Sequence, residues 1–476
     1  MCDPFLKGVF MNNKLPLIPY PNNIEIFQSK SNINFSEITF EKVENIFQKD
    51  EYEIEIRNGK ISVKFSEDEG KFYAEKTLEQ IKNSEEKIPD CIIKDKPQFS
   101  HRGFMLDPCR HFFTVEEIKK IIDAAAYLKM NVFHWHLSDD QGFRIESKKF
   151  PLLNEIGSYR KNSLFGGTNE GKPHGGFFTH EEIKDVVSYC KERHIDVIPE
   201  IDLPGHTIAI IASYPELSCK KEKIDVCMKQ GIFPEILCAG NEKVYEFLFE
   251  LLDEIIPLFP SQYFHIGGDE VPKTNWKKCE CCKKKLEEEN LKNFDELQGY
   301  FMNRIAEFLS SRNKTPIMWN ETLKSKRIST EKVIIQHWLH DKKIMKDFIA
   351  DGGKYVESDF FHFYSDYPYH MTPLKKVYSY TAEKSENLLG IEMPAWSEYI
   401  RDFDKLSYML FPRICAVAEI GWTENKNKDY ERFYKNLKYF YSYFKTQGIN
   451  PASLKVVNPN TLKRLGGTIK YWCSKR

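Results

Sequence analysis

From His101 onward the chain repeats one pattern, and that pattern restricts the fold more than any other feature. Short apolar runs (RGFMLD, NVFHWHL, DVIPEI, YFHIGG, TPIMW, KVIIQHW, KYVES and LLGIEMPAW) are separated by amphipathic stretches. Among these are VEEIKKIIDAAAYL, EEIKDVVSYCKER, KVYEFLFELLDEII, ELQGYFMNRIAEFLSS and KLSYMLFPRICAVAEI. Strands that alternate with helices are joined by crossovers and therefore run parallel. Eight of them predict a closed (β/α)8 barrel. The alternative, an open doubly wound sheet, calls for a glycine-rich phosphate loop. Neither G-x-G-x-x-G nor a Walker-type motif occurs.

Residues 1–98 read differently. EYEIEIRNGKISVKFS alternates with a period of two, AEKTLEQIKNS has a helical period, and the connector IPDCIIKDKPQFS contains prolines. A small α+β domain is expected over 1–98, the barrel over 99–445, and a C-terminal tail over 446–476, mostly polar after Phe444 and expected to pack loosely. A chain of 476 residues is long enough for two cores. Its net charge of -1 argues against nucleic acid or anionic membrane as the main partner. No run of about eighteen apolar residues is present, so no membrane span is expected. The N-terminal MCDPFLKGVFMNNKLPLIPYP lacks the basic start and continuous apolar core of a secretory signal, which makes an intracellular protein the default expectation.

The 12 cysteines are spread along the chain. Cys109, Cys190 and Cys415 fall inside strand or helix patterns and read as small buried hydrophobes in a reducing compartment. Cys279, Cys281 and Cys282 invite a zinc site. A closed zinc site wants paired spacings, however, and no second pair follows nearby. A reducible disulfide with a distant partner is an equal alternative.

Chemistry in a barrel collects at the C-terminal ends of its strands, and the polar residues here do the same. Asp107 and Arg110 follow the first strand, Asp139 and Asp140 the second, Asp202 and His206 the third, and Asp269 and Glu270 the fourth. Trp319, Trp338, Asp366, Trp396 and Glu398 follow later ones. Acidic groups crowded at one rim cost stability, which points to function. In HIGGDEV, residues 265 to 271, two adjacent carboxylates come just past an apolar strand and two glycines. Glycoside cleavage needs a proton donor for the leaving oxygen and a negative group to support a cationic transition state. HWH at 134 to 136 suggests a metal-dependent hydrolase, but alternate strand residues equally fill barrel layers. With no complete ligand cluster at the mouth, neither a metal nor a cofactor is expected.

In RGFMLDPCRHFF, NVFHWHLSDDQGFR, IPEIDLPGHT, CAGNEKV, HIGGDE and the late tryptophans, in that order, the chain resembles glycoside hydrolase family 20, the β-N-acetylhexosaminidases, over nearly its whole length. The resemblance implies an exo-acting, retaining enzyme that releases terminal β-linked N-acetylglucosamine, and some N-acetylgalactosamine, from glycans or chitooligosaccharides. It implies that Glu270 protonates the departing oxygen. Asp269 would hold the acetamide N–H while the acetamide oxygen attacks the anomeric carbon to form an oxazolinium. Asp139 and His206 correspond to a supporting pair around the acid, and Asp202 to a residue that steadies its loop. Arg110 matches an arginine on the C3 and C4 hydroxyls, with a structural ion pair to Asp107 as the alternative. Glu398 matches an acid on the C4 and C6 hydroxyls. Trp319, Trp338 and Trp396 match three tryptophans around the acetamide methyl. Tyr364 and Asp366 match groups on the acetamide carbonyl and the sugar hydroxyls. For Asp140 a loop cap is an equal reading. Phe143 stands where many relatives have tryptophan, and the Cys-rich insert after Trp276 also departs from the pattern. A catalytically silent sugar-binding barrel would lack Asp269 or Glu270, and both are present. A homodimer is left open.

Overall fold

The computed structural model describes residues 15–30, 33–383 and 385–474. All eight expected strands form: β1 (His101–Leu106), β2 (Val132–His136), β3 (Asp196–Glu200), β4 (Tyr263–His265), β5 (Thr315–Trp319), β6 (Ile334–His337), β7 (Lys354–Glu357) and β8 (Leu388–Ala395). They pair in parallel and close into a barrel, β8 returning to β1. Every residue of β1 and β2 is buried, which is why these strands read as continuous apolar runs rather than alternating ones.

Alternation survives inside β2 in another form. Phe133 and Trp135 face outward, stacking with Phe104 and packing against Phe178 under the helices. His134 and His136 face inward. His134 Nδ1 meets Glu392 Oε1 at 2.7 Å, and His136 Nδ1 contacts Glu200 Oε2. HWH is therefore a barrel layer.

Capping boxes begin two of the crossover helices. Thr114 and Glu117 open Val115–Tyr127, and Thr179 and Glu182 open His180–Lys191, each pair satisfying two otherwise orphaned N–H groups. The expected single helix KLSYMLFPRICAVAEI is two helices, Phe403–Leu410 and Arg413–Trp422. Pro412, between them, has no N–H to continue the first.

The N-terminal domain is a five-stranded sheet in the order Asn23–Lys30, Pro89–Asp95, Tyr52–Arg57, Lys60–Phe65, Ile38–Lys42, with the helix Asp68–Asn83 packed on it. Its central hairpin turns at Asn58-Gly59, both at positive φ, the Asn-Gly signature of a tight hairpin. The barrel enters this domain's core through Trp422, and Trp422 Nε1 donates to Asp95 Oδ2 at 2.9 Å. Lys129, buried between the two, reaches the Tyr52 hydroxyl at 2.7 Å. Burial pushes its ammonium down to about 8, against the opposing pull of Asp95.

The tail departs from the expected loose packing. Ile449, Ala452 and Val457 are buried against the barrel, and Thr461–Ser474 is helical. Tyr471 on that helix lies 6.1 Å and 6.3 Å, ring to ring, from Tyr367 and Tyr399 at the barrel mouth.

Closure of the barrel leaves no room at Gly390, where β8 meets β1. Its φ is +155°, and a Cβ there would sit 1.8 Å from the His101 carbonyl oxygen. Gly390→Ala is expected to cost more than about 2 kcal/mol, read as a lowered unfolding temperature by calorimetry. Gly466→Ala, in open helical space, is expected to be neutral or slightly stabilising.

Candidate active site

The site is built at the C-terminal mouth of the barrel, where the residues after β1, β3, β4, β6, β7 and β8 converge. A pocket of about 160 Å³ is lined there by Arg110, His206, Asp269, Glu270, Trp338, Phe360, Tyr364, Asp366, Tyr367, Trp396, Glu398 and Tyr399. Of the twelve residues singled out in the sequence, nine lie on its wall. Asp139, Asp202 and Trp319 lie directly behind it.

The turn that presents Asp269 and Glu270 depends on the glycines before them. Gly267 has φ +64°, and a Cβ there would fall 1.7 Å from Asp202 Oδ1. That carboxylate oxygen accepts the Gly268 N–H at 3.2 Å. Only glycine allows both the positive φ and the close approach. Asp202 thus ties the loop after β3 to the loop after β4. Its carboxyl is pushed well above the carboxylate range by burial and by the neighbouring Asp269.

Glu270 is held from two sides. Its N–H donates to Glu321 Oε2 at 2.8 Å, and its Oε2 lies 3.5 Å from His206 Nε2. The other imidazole nitrogen, Nδ1, lies 3.2 Å from Asp140 Oδ2 and 3.4 Å from Asp139 Oδ1. Burial pushes the His206 pKa down, but Asp139 and the contacts to Asp140 and Glu270 outweigh it, so it ends well above the ordinary histidine value. Asp139 Oδ2 also takes Arg110 at 2.6 Å and His136 Nε2 at 2.8 Å. Its carboxyl is held far below the usual range because Arg110, His206 and His136 together overcome its burial. Asp140 caps a loop as well, accepting the Ile208 N–H at 3.1 Å.

Arg110 is anchored by Asp107 at 3.0 Å and by Gln141 at 2.9 Å, with its guanidinium 5.0 Å from the Trp396 ring centroid. The ion pair with Asp107 therefore exists, and Arg110 faces the pocket as well. Asp107 in turn accepts the Ser397 N–H at 3.0 Å, locking the end of β1 to the segment that carries Trp396 and Glu398. Burial raises the Glu398 carboxyl pKa, against the pull of Arg110.

Trp319 forms the floor. Its Nε1 donates to Glu200 Oε1 at 2.9 Å, and its ring lies 6.0 Å from Trp396. Trp338 and Tyr364 stack at 6.1 Å, and Tyr364 lies 6.4 Å from Trp396. Trp338, Tyr364 and Trp396 line the pocket beside Asp269, with Trp319 behind them. Asp269 is the more deeply placed of the adjacent pair, its side chain 11% exposed against 31% for Glu270. Among the described residues its Oδ1 is buried without a hydrogen-bond partner. Burial pushes its carboxyl up to about 7, Glu270 adding to the shift and His206 opposing it. A buried carboxylate oxygen without a donor is costly unless a ligand supplies one.

Similarity to known proteins shows the family. The description "Glycosyl hydrolase family 20, catalytic domain" matches residues 99–425. The chain belongs to glycosyl hydrolase family 20. A β-hexosaminidase of Porphyromonas gingivalis is 38% identical over 401 residues, covering 77% of this chain and 50% of the relative. One of Akkermansia muciniphila is 31% identical over 487 residues, covering 94% and 98%. The chain thus spans half of the first relative and nearly all of the second. The crystal structure of a GH20 exo-β-N-acetylglucosaminidase from Vibrio harveyi with N-acetylglucosamine superposes with a TM-score of 0.81 at 28% identity, covering 95% of this chain and 81% of that one.

Several residues of this family-20 site escaped the sequence reading. Glu321 follows β5 and holds the Glu270 backbone; its place just past a strand end was the available signal. Phe360, Tyr367 and Tyr399 line the pocket but sit in loops rich in aromatics, where nothing marks them out. Glu200, His265 and Glu392 form a buried layer inside the barrel, with His265 Nδ1 at 2.8 Å from Glu200 Oε1, and read as strand interior. Phe143, the departure from the family pattern, is fully buried in the core and does not line the pocket.

The raised Asp269 carboxyl has a consequence for stability. Its ordinary value is 3.8 and its folded value about 7, so the folded protein keeps a proton that the unfolded chain has released. Folding is therefore increasingly opposed as pH rises from about 4 to about 7 and constantly opposed above that. Asp269→Asn is expected to raise the unfolding temperature above about pH 7 and to leave it unchanged below about pH 4, the gain growing between. Calorimetry across that range checks it; a gain independent of pH would contradict the origin given.

Proposed function

We propose that this chain is a retaining exo-β-N-acetylhexosaminidase that removes terminal β-linked N-acetylglucosamine, and some N-acetylgalactosamine, from glycans or chitooligosaccharides. The observation that carries the reading is the pairing in one small pocket of two unlike carboxylates. One is buried with an uncommitted oxygen beside an aromatic recess, and the other is half-exposed and held by an imidazole. A volume of about 160 Å³, below the roughly 300–1,000 Å³ of drug-sized pockets, suits one sugar rather than a chain. Arg110 and Glu398 stand across the back and favour the exo mode.

In this reading Asp269 Oδ1 accepts the acetamide N–H, and Trp319, Trp338 and Trp396 enclose the acetamide methyl. The acetamide oxygen is thereby held for attack on the anomeric carbon, a departure of this family from the two-carboxylate scheme. The Tyr364 hydroxyl steadies that oxygen, which narrows the attack angle. Positive charge then builds on the oxazolinium beside Asp269 and favours its ionised form. Glu270 gives its proton to the leaving oxygen, and the protonated His206, 3.5 Å away, stabilises the carboxylate left behind. Water, deprotonated by Glu270, then opens the oxazolinium from the same face, which returns the β anomer. Arg110, Asp366 and Glu398 take the ring hydroxyls, a rigid guanidinium fork suiting two adjacent oxygens. Asp202 and Asp139 hold the loops.

A second cavity, of about 440 Å³, shares Glu270 and Trp338 with the first and continues past Val271, Lys273, Glu321 and Leu339. It lies on the side where the donor of a proton to a leaving group must stand, and we assign it to the aglycone.

Glu270→Gln is expected to lose about 10²–10⁴-fold in turnover on a chitooligosaccharide and far less on an aryl glycoside with a good leaving group, which needs little protonation. Equal small losses on both substrates would remove Glu270 from the acid role. Proton NMR of the first-formed sugar should show the β anomer, and early α anomer would contradict retention.

A further inference from the structure

The Cys-rich insert after Trp276 finds its partners upstream. Cys219, Cys238, Cys279 and Cys282 bring four Sγ atoms to within 4.8 Å of one another. Three of the edges are 3.8 Å (Cys219–Cys282), 3.7 Å (Cys238–Cys279) and 3.6 Å (Cys238–Cys282). A tetrahedral zinc with Zn–S bonds of about 2.3 Å puts its sulfurs about 3.8 Å apart, whereas a disulfide needs about 2.05 Å. The sulfurs therefore stand at the spacing of ligands around one ion, and not as two bonded pairs.

The surrounding backbone is shaped for that arrangement. Ser218 and Leu237 form an antiparallel bridge, and the Cys238 N–H donates to the Leu217 carbonyl at 2.9 Å, which sets Cys219 and Cys238 side by side. Cys279 is the N-cap of the helix Glu280–Glu288, and Cys282 lies buried in that helix's first turn. The two are spaced C-x₂-C, as zinc-binding pairs are. A Cβ on Gly240 would lie 2.3 Å from Cys281 backbone atoms, so a glycine is needed where the two segments press together. The absence of a second pair after Cys282, which argued against zinc in the sequence, is resolved by the fold. The other pair precedes it, Cys238 lying 41 residues before Cys279 and Cys219 63 before Cys282.

We propose that Cys219, Cys238, Cys279 and Cys282 bind one structural zinc ion as four thiolates, releasing their protons on binding. The ion would staple the loop after β3 to the segment after β4. Those two carry His206 and the Asp269–Glu270 pair, and they are already joined near the cluster where Trp276 Nε1 donates to the Leu237 carbonyl at 2.9 Å. Leu237 N–H in turn reaches the Pro204 carbonyl at 3.1 Å, two residues from His206. The site is closed by four protein ligands and has no position for substrate, so its role is to hold the loops and not to take part in the reaction.

The test is metal analysis of the full chain purified from zinc-supplemented culture without chelator. One zinc per chain is expected, released in step with thiol modification by a mercurial reagent and followed with a colorimetric zinc indicator. Cys281→Ser, whose thiol is exposed and outside the cluster, should keep the metal, and Cys282→Ser should lose it. If Cys282→Ser does not fold, the release titration of the unaltered protein decides. Substoichiometric zinc, stoichiometric iron, or a peptide map showing disulfides among these four cysteines would each overturn the proposal.

Discussion

The mouth of this barrel depends on one chain of ionic contacts, running from Glu200 through His136, Asp139 and His206 to Glu270. Each of the first four groups is buried, and an unpaired buried charge costs several kcal/mol. The alternation of carboxylate and imidazole leaves none of them unpaired. Arg110 adds a positive charge at Asp139, so the chain is neutralised where acids are densest. The result is a rigid support whose end, and only its end, is open to solvent. Glu270 occupies that end, and its position is set by groups that have no freedom of their own.

Asp269 lies outside this chain of contacts, and among the described residues its Oδ1 is buried without a hydrogen-bond partner. That oxygen shares its pocket with the rings of Trp338, Tyr364 and Trp396, with Trp319 behind them. An N-acetyl group has the matching parts, an N–H donor and a methyl. In the proposed reading, the cost of burying this carboxyl with one oxygen lacking a hydrogen bond is the counterpart of its use when substrate is bound. In that reading stability and catalysis pull in opposite directions at this one side chain.

The barrel strands were legible because burial on both faces leaves uninterrupted apolar runs, and the rim residues because polar groups after such runs have few structural reasons to be there. Where the reading fell short, the cause is long-range geometry. The helices Phe403–Leu410 and Arg413–Trp422 read as one in the sequence because periodicity continues across Pro412. Glu200 and Glu392 lie within strands, where a carboxylate is visible as an anomaly only once the imidazoles facing it are known. The cysteine cluster joins residues 41 to 63 positions apart, a separation that no spacing rule spans. Roles for Arg110, Glu398 and the tryptophans rested on family resemblance; the fold adds that most of them share one pocket.

The central claim is that the sugar's acetamide, held by Asp269, is the nucleophile. It is tested most directly by the rates of aryl 2-acylamido glucosides with mono-, di- and trifluorinated acetyl groups, measured on the unaltered protein. The account predicts kcat/KM falling stepwise as fluorine withdraws electrons from the carbonyl oxygen. A rate indifferent to fluorination, together with a 2-fluoro sugar trapped as an ester on Asp269 or another carboxylate, would mean an ordinary double displacement and contradict it.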